Sequence, residues 1–90
     1  MNQINNGNLI AFSPGYYIKE YLIDQGMKQN ELADLLNTNE KTVGLLINGK
    51  IDLNDELIVG LSSALGTSQQ LWKKLNQQYL QTKAEIKMHL

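Results

Sequence analysis

The 90-residue chain has no cysteine, no arginine, one proline, one histidine and one tryptophan. Without cysteine it cannot form disulfides, thiolate zinc sites or a cysteine nucleophile. The single histidine, His89, stands next to the C-terminus, in a tail expected to fray. A histidine-based triad or zinc cage would depend on that one residue. No catalytic residue, metal-ligand set or cofactor site is therefore read from the sequence, and the expectation is a protein that is not an enzyme. No run of about 18 apolar residues exists, so no membrane-spanning helix is expected. The opening Met1-Asn2-Gln3-Ile4-Asn5-Asn6-Gly7-Asn8 has no basic stretch followed by an apolar one, so no signal peptide is read there and the expected location is cytoplasmic.

Positive charge is also scarce. Eight lysines face nine acidic residues, for a net charge of −1. A protein that coats nucleic acid indiscriminately carries a strongly basic balance, and this chain does not. A site-specific DNA binder with a small contact face remains compatible with it. About 42% of residues are hydrophobic, enough for one modest core, and the length accommodates one domain. Asn and Gln make up 18 of the 90 residues, which suits a polar, weakly charged surface.

Residues 1–12 read as a flexible, Asn-rich segment in which Leu9, Ile10 and Phe12 are the residues able to pack. Ser13-Pro14 reads as an N-cap followed by the first helical position, where the missing N–H of proline costs nothing. That helix places Tyr17, Ile18, Tyr21 and Leu22 on one face and ends at Gly26. A second, short helix runs from Gln29 to Leu36 with Leu32, Ala33 and Leu36 inward. Asn37, the non-glycine type that best tolerates positive φ, follows it. Asn39 caps a third helix carrying Val43, Leu46 and Ile47, stopped by Gly49. Asn54 caps a fourth, with Leu57, Ile58, Leu61 and Leu65 inward and Gly66 at its end. Thr67-Ser68-Gln69-Gln70 reads as a capping-box start. The fifth helix then runs to about residue 84–88 with Leu71, Trp72, Leu75 and Tyr79 on one stripe. No β-type alternation is sustained and no repeat occurs. The expected fold class is all-α: five helices with short connections, the domain covering residues 13–88.

Residues 29–48 are the informative part. Two short helices flank the turn Leu36-Asn37-Thr38-Asn39. Ala33 lies four positions before Asn37, where two backbones must approach; Val43 and Leu46 lie six and nine positions after it, where they lock the second helix onto the first. This is the spacing of a helix-turn-helix, although a purely structural helical hairpin satisfies parts of it.

The wider chain narrows the choice. Ser13-Pro14-Gly15, Gly26-Met27-Lys28-Gln29-Asn30-Glu31-Leu32-Ala33, Thr42-Val43 with Leu46-Ile47-Asn48-Gly49-Lys50, and Leu65-Gly66-Thr67-Ser68-Gln69-Gln70-Leu71-Trp72 resemble the XRE-type helix-turn-helix proteins. Within that group the Pro-Gly opening and the Gly-Thr-Ser…Trp segment most resemble the HigA-like antitoxins of toxin–antitoxin modules. The resemblance implies a compact five-helix domain of the lambda-repressor-like type. It also implies a homodimer that binds a palindromic operator in its own promoter as double-stranded DNA, and a small ribonuclease toxin, HigB, as a possible partner. The chain departs from that pattern in having Ser13 where the family usually has histidine, Lys28 where Ser or Thr commonly caps, and no arginine on the recognition helix. Over residues 28–50, Lys28, Lys41 and Lys50 are balanced by Glu31, Asp34 and Glu40.

The candidate DNA-binding residues are Gln29, Asn39, Glu40, Lys41, Thr42, Gly44, Leu45, Asn48 and Lys50. Gln29 opens the second helix, where its family counterpart reaches a phosphate. Asn39, Lys41 and Thr42 lie at the end of the third helix that meets base edges in such motifs. Asn pairs with adenine and Lys with guanine, although capping alone also explains Asn39. Glu40 either accepts from a cytosine amine or simply favours the helix dipole. Gly44 costs about 1 kcal/mol relative to alanine in a helix, so either DNA approaches its backbone or the residue is tolerated drift. Leu45 is either a thymine-methyl contact or a plain exposed leucine. Asn48 and Lys50 suit phosphate contacts. Leu71, Trp72, Leu75 and Tyr79 are either core or a dimer seam, since paired half-sites require a two-fold partner.

Three other patterns fail on inspection. Gly44 to Lys50 reads GxxxxGK, but Ile51 stands where a phosphate-binding loop needs Ser or Thr. Asp52-Leu53-Asn54 begins like a calcium loop, but Leu57 replaces its turn glycine. Asp55-Glu56 is a carboxylate pair whose place after Asn54 suits the helix dipole.

Overall fold

A computed structural model describes the backbone of residues 3–6 and 9–88 and the side chains of residues 10–88. The expected packing of Leu9 and fraying at His89 lie outside the described side chains. Two strands and five helices follow one another: β1 (Gln3–Asn6), β2 (Leu9–Phe12), α1 (Pro14–Gln25), α2 (Gln29–Leu35), α3 (Glu40–Ile47), α4 (Asp55–Leu65) and α5 (Gln69–Met88).

The strands are the main difference from the expectation. β1 and β2 pair antiparallel, Gln3 opposite Phe12 and Asn6 opposite Leu9, within the stretch read as a flexible segment. The hairpin packs on α5, where Ala11 joins Tyr79 and Ile86 in a small second cluster. The principal architecture is the all-α five-helix domain.

Local chemistry explains the helix ends. Gly26 takes φ 64°, its N–H donating to the Ile23 carbonyl while that of Met27 donates to Leu22. Gly66 closes α4 in the same left-handed way, with Thr67 N–H reaching Ser62 O at 3.0 Å. Both arrangements satisfy carbonyls that the last turn leaves open. Asn39 and Asn54 cap α3 and α4, accepting from Thr42 N–H and Leu57 N–H at 2.8 Å each.

Two caps differ from the expectation. Ser13 holds the N-cap position of α1 in extended backbone, but its hydroxyl accepts no N–H of the first turn. At α5 the cap is Ser68, which accepts from Leu71 N–H at 3.1 Å. The Thr67 hydroxyl instead accepts from the indole N–H of Trp72 at 2.7 Å. α2 is one residue shorter than read, with Leu36 already in the turn.

The principal core comprises Ile18 and Leu22 of α1, Leu32 and Ala33 of α2, and Val43, Leu46 and Ile47 of α3. Leu53, Ile58, Leu61, Leu65 and Trp72 complete it. Pro14-Gly15 has a packing reason. A Cβ at Gly15 would overlap the Leu46 carbonyl oxygen and come within 2.8 Å of the Ile47 carbonyl carbon. Only a glycine lets the start of α1 meet the end of α3 so closely, and that contact fixes where α3 sits on the domain.

Candidate nucleic-acid interface

The helix pair is assembled by its turn. Leu36 N–H donates to Leu32 O at 2.9 Å, and Thr38 N–H to Ala33 O at 2.9 Å. Asn37 between them takes φ 56°, in the left-handed region. Such a residue reverses the chain in few steps, and Asn tolerates it because its short polar side chain bonds locally. Asn39 then opens α3 by capping it. Buried Val43, Leu46 and Ile47 hold α3 to α1 and α2, so its remaining residues face outward.

On that outward surface Lys41, Leu45 and Asn48 recur at i, i+4 and i+7, a single stripe of a 3.6-residue helix, and all three are exposed. Glu40 and Gly44 form the neighbouring stripe. Gln29, at the first turn of α2, leans over it: a Cβ placed on Gly44 would meet only Gln29 Oε1, at 3.9 Å. Gly44 is therefore not required by packing within the described chain. Asn48 donates its amide to Gly44 O at 2.9 Å and so helps finish the helix. Lys50, just beyond, closes the end with its own N–H on Leu45 O at 2.8 Å and leaves its side chain exposed.

Of the sequence-predicted site residues, Gln29 and Glu40 line one groove and Thr42 another, while Asn39, Lys41, Gly44, Leu45, Asn48 and Lys50 line neither. The first groove runs between α1, the start of α2 and the start of α3, and gathers Lys19, Lys28, Gln29, Asn30 and Glu40. The other lies between the α2–α3 turn and the segment leading into α4, where half-buried Thr42 stands with Asn37, Asp52 and Glu56. Thr42 thus faces an acidic flank, whereas Gln29 and Glu40 share a flank with two lysines. Lys19 and Lys28 were absent from the sequence candidates. Lys28 precedes Gln29 directly and was legible as its neighbour; Lys19 joins only through the packing of α1.

The four residues read as core or seam also separate. Trp72 is fully buried and Tyr79 nearly so, each inside the chain's own clusters. Trp72 packs against Tyr21 with ring centroids 5.8 Å apart. Of the two alternatives, the single chain shows the core one for these residues: both side chains are buried within one copy. Leu71 and Leu75 are half-buried at the edge of the same core and retain outward surface.

Among the described residues no group of three His, Cys, Asp or Glu side chains is placed to hold a metal ion, and no helix is long and apolar enough to cross a membrane.

A helix-turn-helix family model matches residues 18–72, which takes in α1 through the start of α5 and all of the geometry above. The chain belongs to the XRE-type helix-turn-helix family. It is a DNA-binding transcriptional regulator of that type, and the family is one of regulators rather than enzymes. The uncharacterized HTH-type transcriptional regulator YddM of Escherichia coli K12 is 31% identical over 72 residues, covering 80% of this chain and 77% of the relative. Among solved structures, the antitoxin HigA of Pseudomonas aeruginosa with the higBA promoter is similar at TM-score 0.75 and 23% identity, over 81% of this chain and 80% of that one. An addiction-module antidote protein of the HigA family from Coxiella burnetii is similar at TM-score 0.73 and 24% identity, over 81% and 80%. At those identities the likeness of the XRE-type chain to the two antitoxins is one of fold.

Proposed function

We propose that this XRE-type protein is a cytoplasmic, dimeric repressor that occupies a palindromic operator, and that it serves as the antitoxin of a HigB/HigA-type module regulating its own operon. The observation that carries the DNA-binding half is the single exposed stripe of Lys41, Leu45 and Asn48 on a helix whose other face is locked into the core. α3 enters the major groove of each half-site. Lys41 reads guanine, Gln29 and Lys50 hold phosphates, and half-sites are centred one helical turn, about 34–36 Å, apart. The antitoxin half is supported by the fold-level likeness to HigA proteins, one of them in complex with its promoter DNA. Leu71 and Leu75, with residual outward surface on α5, are the candidates for the two-fold contact.

The test is fluorescence anisotropy on DNA from the upstream region of its own gene, at about 50 and 200 mM salt, with wild type and Lys41→Ala. Phosphate contacts release counterions, so binding should weaken steeply with salt. Loss of sequence preference in Lys41→Ala places recognition on α3. A footprint on one half-site alone counts against the dimeric reading. Co-purification with the product of a small neighbouring gene separates an antitoxin from a general or phage-type XRE regulator.

A second reading is favoured by one specific observation. The motif between residues 28 and 50 carries no net charge and contains no arginine. A helix-turn-helix used mainly to bind protein suits such a face. Its signature is binding that barely responds to salt, and no measurable affinity for DNA at 50 mM.

A further inference from the structure

Where α1, the α3–α4 segment and α5 meet there is a small cavity. Its wall includes Ser13, Gly49, Asp52, Asn76 and Tyr79, with apolar contributions from Pro14, Leu46 and Leu53. A volume of about 10 Å³ there is open to a water-sized sphere, enough to admit a water molecule. Two of the residues on this wall carry side-chain oxygens, Ser13 Oγ and Asn76 Oδ1, that are shut off from solvent and have no hydrogen-bond partner in the protein.

Neither oxygen is there by default. An N-cap serine ordinarily turns its hydroxyl onto the first turn of its helix. Ser13 holds that position, yet its hydroxyl accepts nothing from α1, and Tyr16 N–H bonds to the Ser13 main-chain carbonyl instead. The residue is only 1% exposed. Ser13 Oγ–H can donate and Asn76 Oδ1 can accept, but the two do not bond to each other directly. Buried polar groups that native proteins leave without a protein partner are met by ordered water.

We propose that one neutral water molecule is bound in this cavity as a fixed part of the fold. It donates one hydrogen to Asn76 Oδ1 and accepts from Ser13 Oγ–H, joining the first residue of the α1 cap to the middle of α5. The site draws on none of the residues proposed to contact DNA.

Oxygen-17 relaxation dispersion on the full chain counts internal waters with long residence times. Ser13→Val fills the space with methyl groups, and circular dichroism shows whether the variant folds. The expected result is a count lower by one in folded Ser13→Val. In a wild-type crystal map at about 1.5 Å, a single peak should lie within hydrogen-bond distance of both oxygens. An equal count in the two proteins overturns the proposal, as does a map in which the Asn76 amide bonds Ser13 directly. If Ser13→Val does not fold, Ser13→Ala and Asn76→Ala provide a second route. A shared water makes their melting-temperature losses overlap in the double variant, whereas fully additive losses overturn it.

Discussion

Gly15 of α1 and the carbonyl of Leu46 in α3 meet with no room for a side chain between them. The start of the first helix and the end of the third are thereby fixed against each other by backbone alone. Gly15→Ala must either push the helices apart or distort the end of α3. Overpacking of this kind costs about 1–3 kcal/mol. The expected outcome is a lower urea midpoint, read by circular dichroism, with DNA affinity falling further than the loss of folded protein accounts for.

Asn39 combines two roles that substitution can separate. Its carboxamide oxygen caps Thr42 N–H at 2.8 Å, and its exposed position at the start of α3 lies where the proposed reading places DNA. Asn39→Ala should cost about 1 kcal/mol of stability. Asn39→Asp keeps the cap and adds a negative charge, so stability should hold while DNA binding weakens. If Asn39→Asp binds DNA as well as wild type does, the residue is a cap only. Chemical denaturation paired with anisotropy measures both quantities.

Gly44 gives the converse case. Nothing in the described chain occupies the space a Cβ would take, apart from Gln29 Oε1 at 3.9 Å. Gly44→Ala should stabilise the fold by up to about 1 kcal/mol through helix propensity. For a domain of this size that raises the melting temperature by roughly 4–8 °C. If DNA approaches the α3 backbone at this point, the same variant binds its operator less tightly. Unchanged affinity assigns the glycine no part in recognition.

Asp52 and Glu56 stand beside Thr42 on one flank of α3. Carboxylates near a phosphate backbone oppose its approach, and salt screens that opposition. Asp52→Asn combined with Glu56→Gln should tighten DNA binding by roughly twofold to tenfold at 50 mM salt, with a smaller gain at 200 mM. If the protein-binding reading is the right one, this variant leaves DNA affinity negligible at both salt concentrations.

The features legible in the sequence are those decided by neighbours along the chain. Asn39 and Asn54 announce their helices because a cap needs only the N–H three residues on, and Gly26 and Gly66 mark ends through a conformation that glycine adopts at no steric cost. The hairpin was not legible. Strands of four residues are too short to display an alternating pattern, and what orders them is distant: Ala11 against Tyr79 and Ile86 of α5. For the same reason the list of α3 residues could be read but not their surroundings. Thr42 acquires Asp52 and Glu56, and Gln29 acquires Lys19, only when the helices pack. Trp72 shows the limit from the other side. A large aromatic on an amphipathic stripe suits a seam or a core equally, and the Thr67 hydroxyl that takes its N–H is visible only once the α4–α5 turn is built.

Leu36 ends α2 and at the same time leans on α4, where a Cβ at Gly60 would lie 2.7 Å from its methyl group. The turn between the two helices of the motif is thus braced by a third helix before any ligand arrives. A reading head held in this way spends little conformational entropy on docking, so more of the contact energy survives as affinity. For a face with so few positive charges, that rigidity is a resource that charge does not supply.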